Sequence, residues 1–136
     1  MPNIRVLVVD DSPLYRYVVR ELLSQSPGFE VVGCAEDGRE ALTLIHLTRP
    51  DMVILDIEMP IMDGWQTLRA IHLSYPDLKV ILFSSINEDL TVINAKAHEL
   101  GALAFVAKPM NVSDHQHAWQ ELHETLLPLI KSYAGI

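Results

Sequence analysis

The stretch Asp51-Met52-Val53-Ile54-Leu55-Asp56-Ile57-Glu58-Met59-Pro60 decides the reading of the chain. Met52 to Leu55 shows no polar alternation, so both faces of this segment need cover, as in a parallel sheet flanked by helices. Asp56 then stands at the carboxyl end of a buried strand, the edge where open α/β sheets collect ligands. Two other runs share the pattern: Ile4 to Val9 leads into Asp10-Asp11, and Lys79 to Phe83 leads into Ser84-Ser85. Ala102 to Ala107 runs into Lys108-Pro109. If all four are parallel strands, three carboxylates, two hydroxyls and one ammonium meet at one edge.

Strand and helix patterns alternate along the chain, which is the signature of repeated βαβ units. After the first strand, Ser12 is a good N-cap with Pro13 at the first helical position, and Tyr15, Val18, Val19, Leu22 and Leu23 form an apolar stripe. Ser26-Pro27-Gly28 stops that helix. Phe29 to Ala35 is the second strand. Asp37 with Glu40 makes a capping-box-like start for a helix through about Leu47, which Pro50 ends. Met59 to Gly64 reads as a turn-rich loop before a third helix lined by Trp65, Leu68, Ile71 and Leu73. Leu90, Ile93, Ala97 and Leu100 mark a fourth helix that Gly101 closes. The fifth strand is expected over Leu103 to Val106. A last helix starts near Ser113, with Ala118, Trp119, Leu122 and Leu126 on one face and Pro128 kinking or ending it. Five strands and five helices with right-handed crossovers fit a three-layer, flavodoxin-like α/β sandwich with a five-stranded parallel sheet, for which we choose the order 2-1-3-4-5. In that order the first and third strands are neighbours, which brings Asp10, Asp11 and Asp56 together.

Composition narrows the function classes. The 136 residues suit one domain, read as residues 1–136, with 49% hydrophobic and 21% charged residues. With a net charge of −8 and only 10 Lys and Arg, the chain has no basic face for a phosphate backbone, so direct nucleic-acid binding is not expected. The apolar runs are too short to cross a bilayer, and Met1-Pro2-Asn3-Ile4 shows no cleavage pattern, so a cytoplasmic location away from membranes is expected. The lone Cys34 can form no internal disulfide and reads as a small apolar packing residue.

Three carboxylates in one cleft repel one another, and a hard divalent ion relieves that repulsion while leaving positions open for phosphate oxygens. Lys108 adds a mobile positive charge and Ser84 a hydroxyl donor. These are the parts of a phosphoryl-transfer site: a nucleophile, a cation and two donors. The plainer alternative, that Asp10 and Asp11 merely cap the first helix, would suit a lone pair but leaves Asp56 and Lys108 unexplained.

Val9-Asp10-Asp11-Ser12, Leu55 to Pro60, Met62-Asp63-Gly64, Ser84-Ser85 and Lys108-Pro109, in this order and at these separations, resemble the response-regulator receiver domains of two-component signalling, the CheY-like fold. The likeness spans nearly the whole chain. Ile4 to Ser12, Phe29 to Gly38 and Asp56 to Gly64 are similar to the receiver of chemotaxis methylesterases, without the esterase domain. The resemblance implies that Asp56 accepts a phosphoryl group from a phosphohistidine on a sensor histidine kinase or a histidine phosphotransfer protein. It implies Mg²⁺ (or Mn²⁺) held by Asp11, by Asp10 largely through water, by Asp56 and by the Glu58 main-chain carbonyl. Ser84 would bond the phosphoryl group and shift, Ser85 would touch it, Lys108 would hold another oxygen, and Phe105 would take the aromatic switch position. Its ring would remodel the face made by the fourth helix, fifth strand and fifth helix. A downstream effector or a fused output domain would read that face, and a phosphorylation-dependent dimer is left open. The chain would assist its own phosphorylation and dephosphorylation without turning over an external substrate. Glu58 and Ile86 would border the path of attacking water. Ending in Lys131 to Ile136, the chain is expected to be a stand-alone receiver or one excised from a longer protein.

Two rivals use similar parts. A haloacid-dehalogenase-type phosphatase also has a strand-end aspartate and uses Mg²⁺, but Glu58 stands where its second Asp belongs and Pro60, two residues on, where it has a hydroxyl or Val. A flavin or nucleotide binder would need a glycine-rich phosphate loop after the first strand, which is missing. His115, His117 and His123 invite a metal reading, but residues two apart on a helix face different ways, so they read as solvated surface. Met59, Met62 and Met110 read as loop packing, and Phe105 as core in either case.

Overall fold

The structure, a computed structural model, describes residues 2–85, 88–110 and 114–136. Its strands are β1 (Ile4–Val9), β2 (Phe29–Ala35), β3 (Met52–Leu55), β4 (Lys79–Ser84) and β5 (Ala104–Ala107). They form one parallel sheet in the order β2-β1-β3-β4-β5. Its helices are α1 (Pro13–Ser24), α2 (Gly38–Thr48), α3 (Gly64–Ser74), α4 (Leu90–Glu99) and α5 (His115–Ala134). The expected topology is the observed one.

Period-two side-chain direction splits the core into two slabs. From β1, Val6 and Val8 pack with Val18, Val19, Leu22 and Leu23 of α1 and with Ala118, Leu122, Leu126 and Ile130 of α5. Leu7 and Val9 point the other way, onto Ala41 and Ile45 of α2, Leu68 and Ile71 of α3, and Ala97 of α4. All four residues of β3 are buried because helices cover both faces. Ser12, Asp37, Asp63, Asp89 and Asp114 cap the five helices, and each side chain accepts a backbone N–H of the first turn. At α3, Asp63 and Gln66 bond reciprocally as a full capping box.

Several expectations need correction. Leu73 is 79% exposed, because the buried stripe of α3 runs through Thr67, Leu68 and Ile71. Pro128 neither ends nor breaks α5, which continues to Ala134 while Leu126, Leu127 and Ile130 stay buried around it. Those contacts outweigh one lost backbone bond of the kind that proline removes. β5 lies one residue later than expected. Met110 is 84% exposed, and Phe105 is only half-buried. Cys34 is also half-buried, packed against the α1 and α5 slab. Ser113 and Ile86 fall outside the described residues.

Candidate functional site

Each predicted site residue except Phe105, which lies within β5, sits at or just past the carboxyl end of a strand. Asp10 follows β1 and its N–H donates to the Ala35 carbonyl, 3.0 Å away. Asp56 follows β3 and its N–H donates to the Val9 carbonyl at 2.9 Å. Ser84 ends β4, and the Lys108 N–H donates back to the Ser84 carbonyl at 2.9 Å. The sheet's own ladder therefore fixes these Cα positions before any side chain interacts.

Asp10 and Asp56 are 2% and 3% exposed, whereas Asp11 faces solvent. One carboxylate oxygen from each of the three lies within 4.8 Å of the others. Asp56 Oδ1 accepts from Ser84 Oγ at 2.7 Å and from the Ile57 N–H at 2.8 Å. Lys108 Nζ is 3.2 Å from Asp56 Oδ2 and 2.9 Å from Asp10 Oδ2. Asp10 Oδ1 also accepts the Ser12 N–H at 2.9 Å, so one carboxylate helps to orient the start of α1 while facing the site. The capping alternative is thus half right.

Electrostatics follow from this crowding. Burial first, and the charge of Asp56 second, push Asp10 up to about 7, against the pull of Lys108. Asp11 is also raised, by desolvation and then by Asp56. Burial works against the Lys108 charge, but Asp10 and Asp56 together lift it above the ordinary lysine value. A cluster that disfavours its own ionised form, with three oxygen donors in reach of one point, fits a hard divalent cation. Among the described residues, no other group of three His, Cys, Asp or Glu side chains comes together in this way.

Ser85 is exposed beside the cluster and, with Ser84, Ile57, Glu58, Trp65, Glu88 and Ile93, lines a cavity of about 200 Å³. Trp65 was expected only as helix core. Its ring instead borders that cavity and a wider opening on the Asp11 side, and Lys96 Nζ lies 4.4 Å from its centroid. Phe105 adjoins a further cavity of about 370 Å³ between α4 and β5. Tyr15 was also read only as part of a stripe, yet the Lys108 ammonium lies 4.7 Å from its ring centroid. Its place one turn into α1, after the acid pair, was the available signal. The histidines find separate partners: His115 with Glu21, His117 with Asp114, and His123 stacked on Trp119. A larger cavity, about 790 Å³, opens at the opposite end of the sheet among Arg5, Arg49, Tyr75 and Lys79, away from this chemistry.

In the loop after Asp56, the Met62 N–H donates to the Pro60 carbonyl at 2.6 Å across Ile61, whose φ is 68°. That is a γ-turn with a β-branched residue in the left-handed region, a strained arrangement. Gly64 takes no positive φ. A Cβ there would run into the main chain of Asp56 and Ile57, so the glycine serves a close approach.

Residues 6–120 match the response regulator receiver domain family, and the chain belongs to it. Its class is that of a phosphorylation-driven signalling switch of two-component systems. The structure superposes on the crystal structure of the response regulator domain of Thermotoga maritima CheB with a TM-score of 0.86, at 34% identity and over 98% of both chains. It also resembles the signal receiver domain of NarL from Mycobacterium tuberculosis, with a TM-score of 0.73 at 36% identity over 90% of this chain and 94% of that one. Among curated proteins, the protein-glutamate methylesterase/protein-glutamine glutaminase of a Nocardioides species is 46% identical over 97% of this chain. That of Desulfotalea psychrophila is 42% identical over 98%. The chain spans 36% of the length of each of these relatives. No helix among the described residues is long and apolar enough to cross a membrane.

Proposed function

We propose that residues 1–136 form one receiver domain in which Asp56 is the phosphoacceptor. The observation that carries this reading is the setting of the Asp56 carboxylate: 3% exposed at a strand end, bonded by Ser84 Oγ at 2.7 Å and Lys108 Nζ at 3.2 Å, with Asp10 and Asp11 beside it. Buried carboxylates seldom keep such company for stability alone. The phosphodonor is a phosphohistidine on a sensor histidine kinase or histidine phosphotransfer protein. An Asp56 oxygen forms the new P–O bond while the P–N bond breaks, and its electron pair leaves with the imidazole.

Asp10, Asp11, Asp56 and the Glu58 main-chain carbonyl would hold Mg²⁺ or Mn²⁺, which supplies charge neutralisation at the phosphoryl oxygens when bound. Lys108 shifts from the carboxylates to one phosphoryl oxygen, and Ser84 Oγ donates to another with Ser85 at the rim. As Ser84 moves, the Phe105 ring turns toward the adjoining 370 Å³ space between α4 and β5, and the face of α4, β5 and α5 changes. No turnover of an external substrate is assigned to this domain. The likeness to methylesterase/glutaminase relatives supports a fused output domain of that kind as the reader of the switch, in a cytoplasmic chemotaxis circuit, and a phosphorylation-dependent dimer is a further arrangement to test.

Incubation with Mg²⁺ and acetyl phosphate, followed by intact mass, tests the acceptor. The expected result is a gain of one phosphate that Asp56→Asn abolishes. A gain that survives the substitution refutes the assignment.

A further inference from the structure

The Lys108 ammonium has three N–H donors, and its carboxylate contacts come from two residues, Asp10 at 2.9 and 3.1 Å and Asp56 at 3.2 Å. Its other close neighbours are aromatic. The centroid of the Tyr15 ring is 4.7 Å from Nζ and that of Phe83 is 5.7 Å away. The two rings meet edge to face, with centroids 5.4 Å apart and planes at 81°. Phe83 is 1% exposed inside β4, so it anchors the pair, while Tyr15 projects from the first turn of α1. The Lys108 side chain is only 9% exposed, which leaves little water to compete for its charge.

These contacts are more than packing. An aromatic face carries negative charge density, and its attraction for a cation strengthens as water is removed. A lysine stem has four rotatable bonds, so contacts with two carboxylates on one side of the ammonium leave the stem itself to be held by its other neighbours. Core duty alone describes Tyr15 poorly: Val18, Val19, Leu22 and Leu23 of the same helix are fully buried, and Tyr15 is only half-buried. No hydrogen bond engages its hydroxyl among the described residues, so the ring face is the part that meets Lys108.

We propose that Tyr15 is a positioning residue of the phosphoryl-transfer site, its ring holding the Lys108 ammonium against Asp10 and Asp56 so that the charge is aimed before the phosphodonor arrives. This rests on the reading of Asp56 as phosphoacceptor. Tyr15 touches neither donor nor acceptor and acts through Lys108. Its effect is to spare the site the ordering of a mobile cation during transfer.

The test compares the parent chain with Tyr15→Phe, which keeps the ring face, and Tyr15→Leu, which fills similar space without it. Two quantities are read: the initial rate of phosphate gain from acetyl phosphate with Mg²⁺, and the ring-current shift of the Lys108 side-chain protons by NMR. Tyr15→Leu should remove the larger part of the shift, leaving the share that Phe83 contributes from 5.7 Å, and slow phosphorylation about fivefold, while Tyr15→Phe keeps both within about twofold of the parent. A merely structural role would leave the proton shift unrelated to the rate. An unchanged rate in Tyr15→Leu, or a Tyr15→Phe rate as low as that of Tyr15→Leu, overturns the proposal. Absence of any phosphate gain in the parent would sink the acceptor assignment instead. The proton shift would then decide the Lys108 contact by itself, an undiminished shift in Tyr15→Leu refuting that contact.

Discussion

Replacing Gly64 by alanine should be among the most damaging one-carbon changes available to this protein. An ideal Cβ at this position would overlap the Asp56 carbonyl oxygen and stand 2.5 Å from Ile57 Cα and 2.9 Å from the Asp56 carbonyl carbon. Carbon contacts are comfortable at about 3.5–4.0 Å. All three obstructing atoms are backbone, so no rotamer change relieves them, and the start of α3 must retreat by about 1 Å from the end of β3. The retreat stretches the bond from the Gly64 N–H to the Ile57 carbonyl, now 2.7 Å, past the useful range of about 3.2 Å. Overpacking costs about 1–3 kcal/mol, and orphaning a partly buried pair adds about 1–3 kcal/mol. Alanine's better helix propensity returns at most about 1 kcal/mol. The net loss is about 1–6 kcal/mol, centred on about 3, which at a urea m-value near 2 kcal/mol per molar moves the midpoint down by about 0.5–3 M. Gly135→Ala is the control: nothing lies within 4 Å of its Cβ, and only its φ of 77° resists the change, at about 1–2 kcal/mol. Urea unfolding followed by circular dichroism reads both. A Gly64→Ala midpoint no lower than that of Gly135→Ala would refute the close-approach argument.

Further outcomes follow from the same geometry. Asp10 is held near 7 against an ordinary 3.8, so between about pH 4 and pH 7 the folded state holds a proton that the unfolded state releases, and stability falls as pH rises through that window. Lys108, raised above 10.5, contributes stability that is lost only above that range. Millimolar Mg²⁺ should therefore raise the melting temperature more at about pH 8 than at about pH 5; equal gains would argue against ion binding at the acid cluster. Ile61→Gly relieves a β-branched residue at φ 68° and should raise the urea midpoint by a stabilisation of about 1 kcal/mol, and a lower midpoint would deny the strain. Pro128→Ala restores a backbone N–H within α5 at an exposed position and should stabilise by about 1–3 kcal/mol; thermal melting that shows no gain would mean that the helix is already adapted to the ring.

How much was legible depended on how local the governing physics is. The all-apolar strands, the caps at Ser12 and Asp37, and the polar residues at strand ends could be read directly, because burial on two faces and capping need particular residue types at fixed offsets. With the flavodoxin-like strand order chosen for that pattern, Asp10, Asp11, Asp56, Ser84 and Lys108 were expected to meet. Other features depend on which neighbour arrives from elsewhere in the chain. Tyr15 looked like any stripe residue until Phe83 and Lys108, distant in sequence, came to its ring. Trp65 became a wall of the cleft only when β4 and α4 were in place. Leu73 fitted the helical period but lay outside the arc that α3 turns toward the sheet. The sequence alone determined which groups lie at the carboxyl ends of the strands, since strand period and caps act within a few residues. Only the tertiary structure decided what surrounds each group, because burial, ring contacts and shifted ionisation are set by segments far apart along the chain.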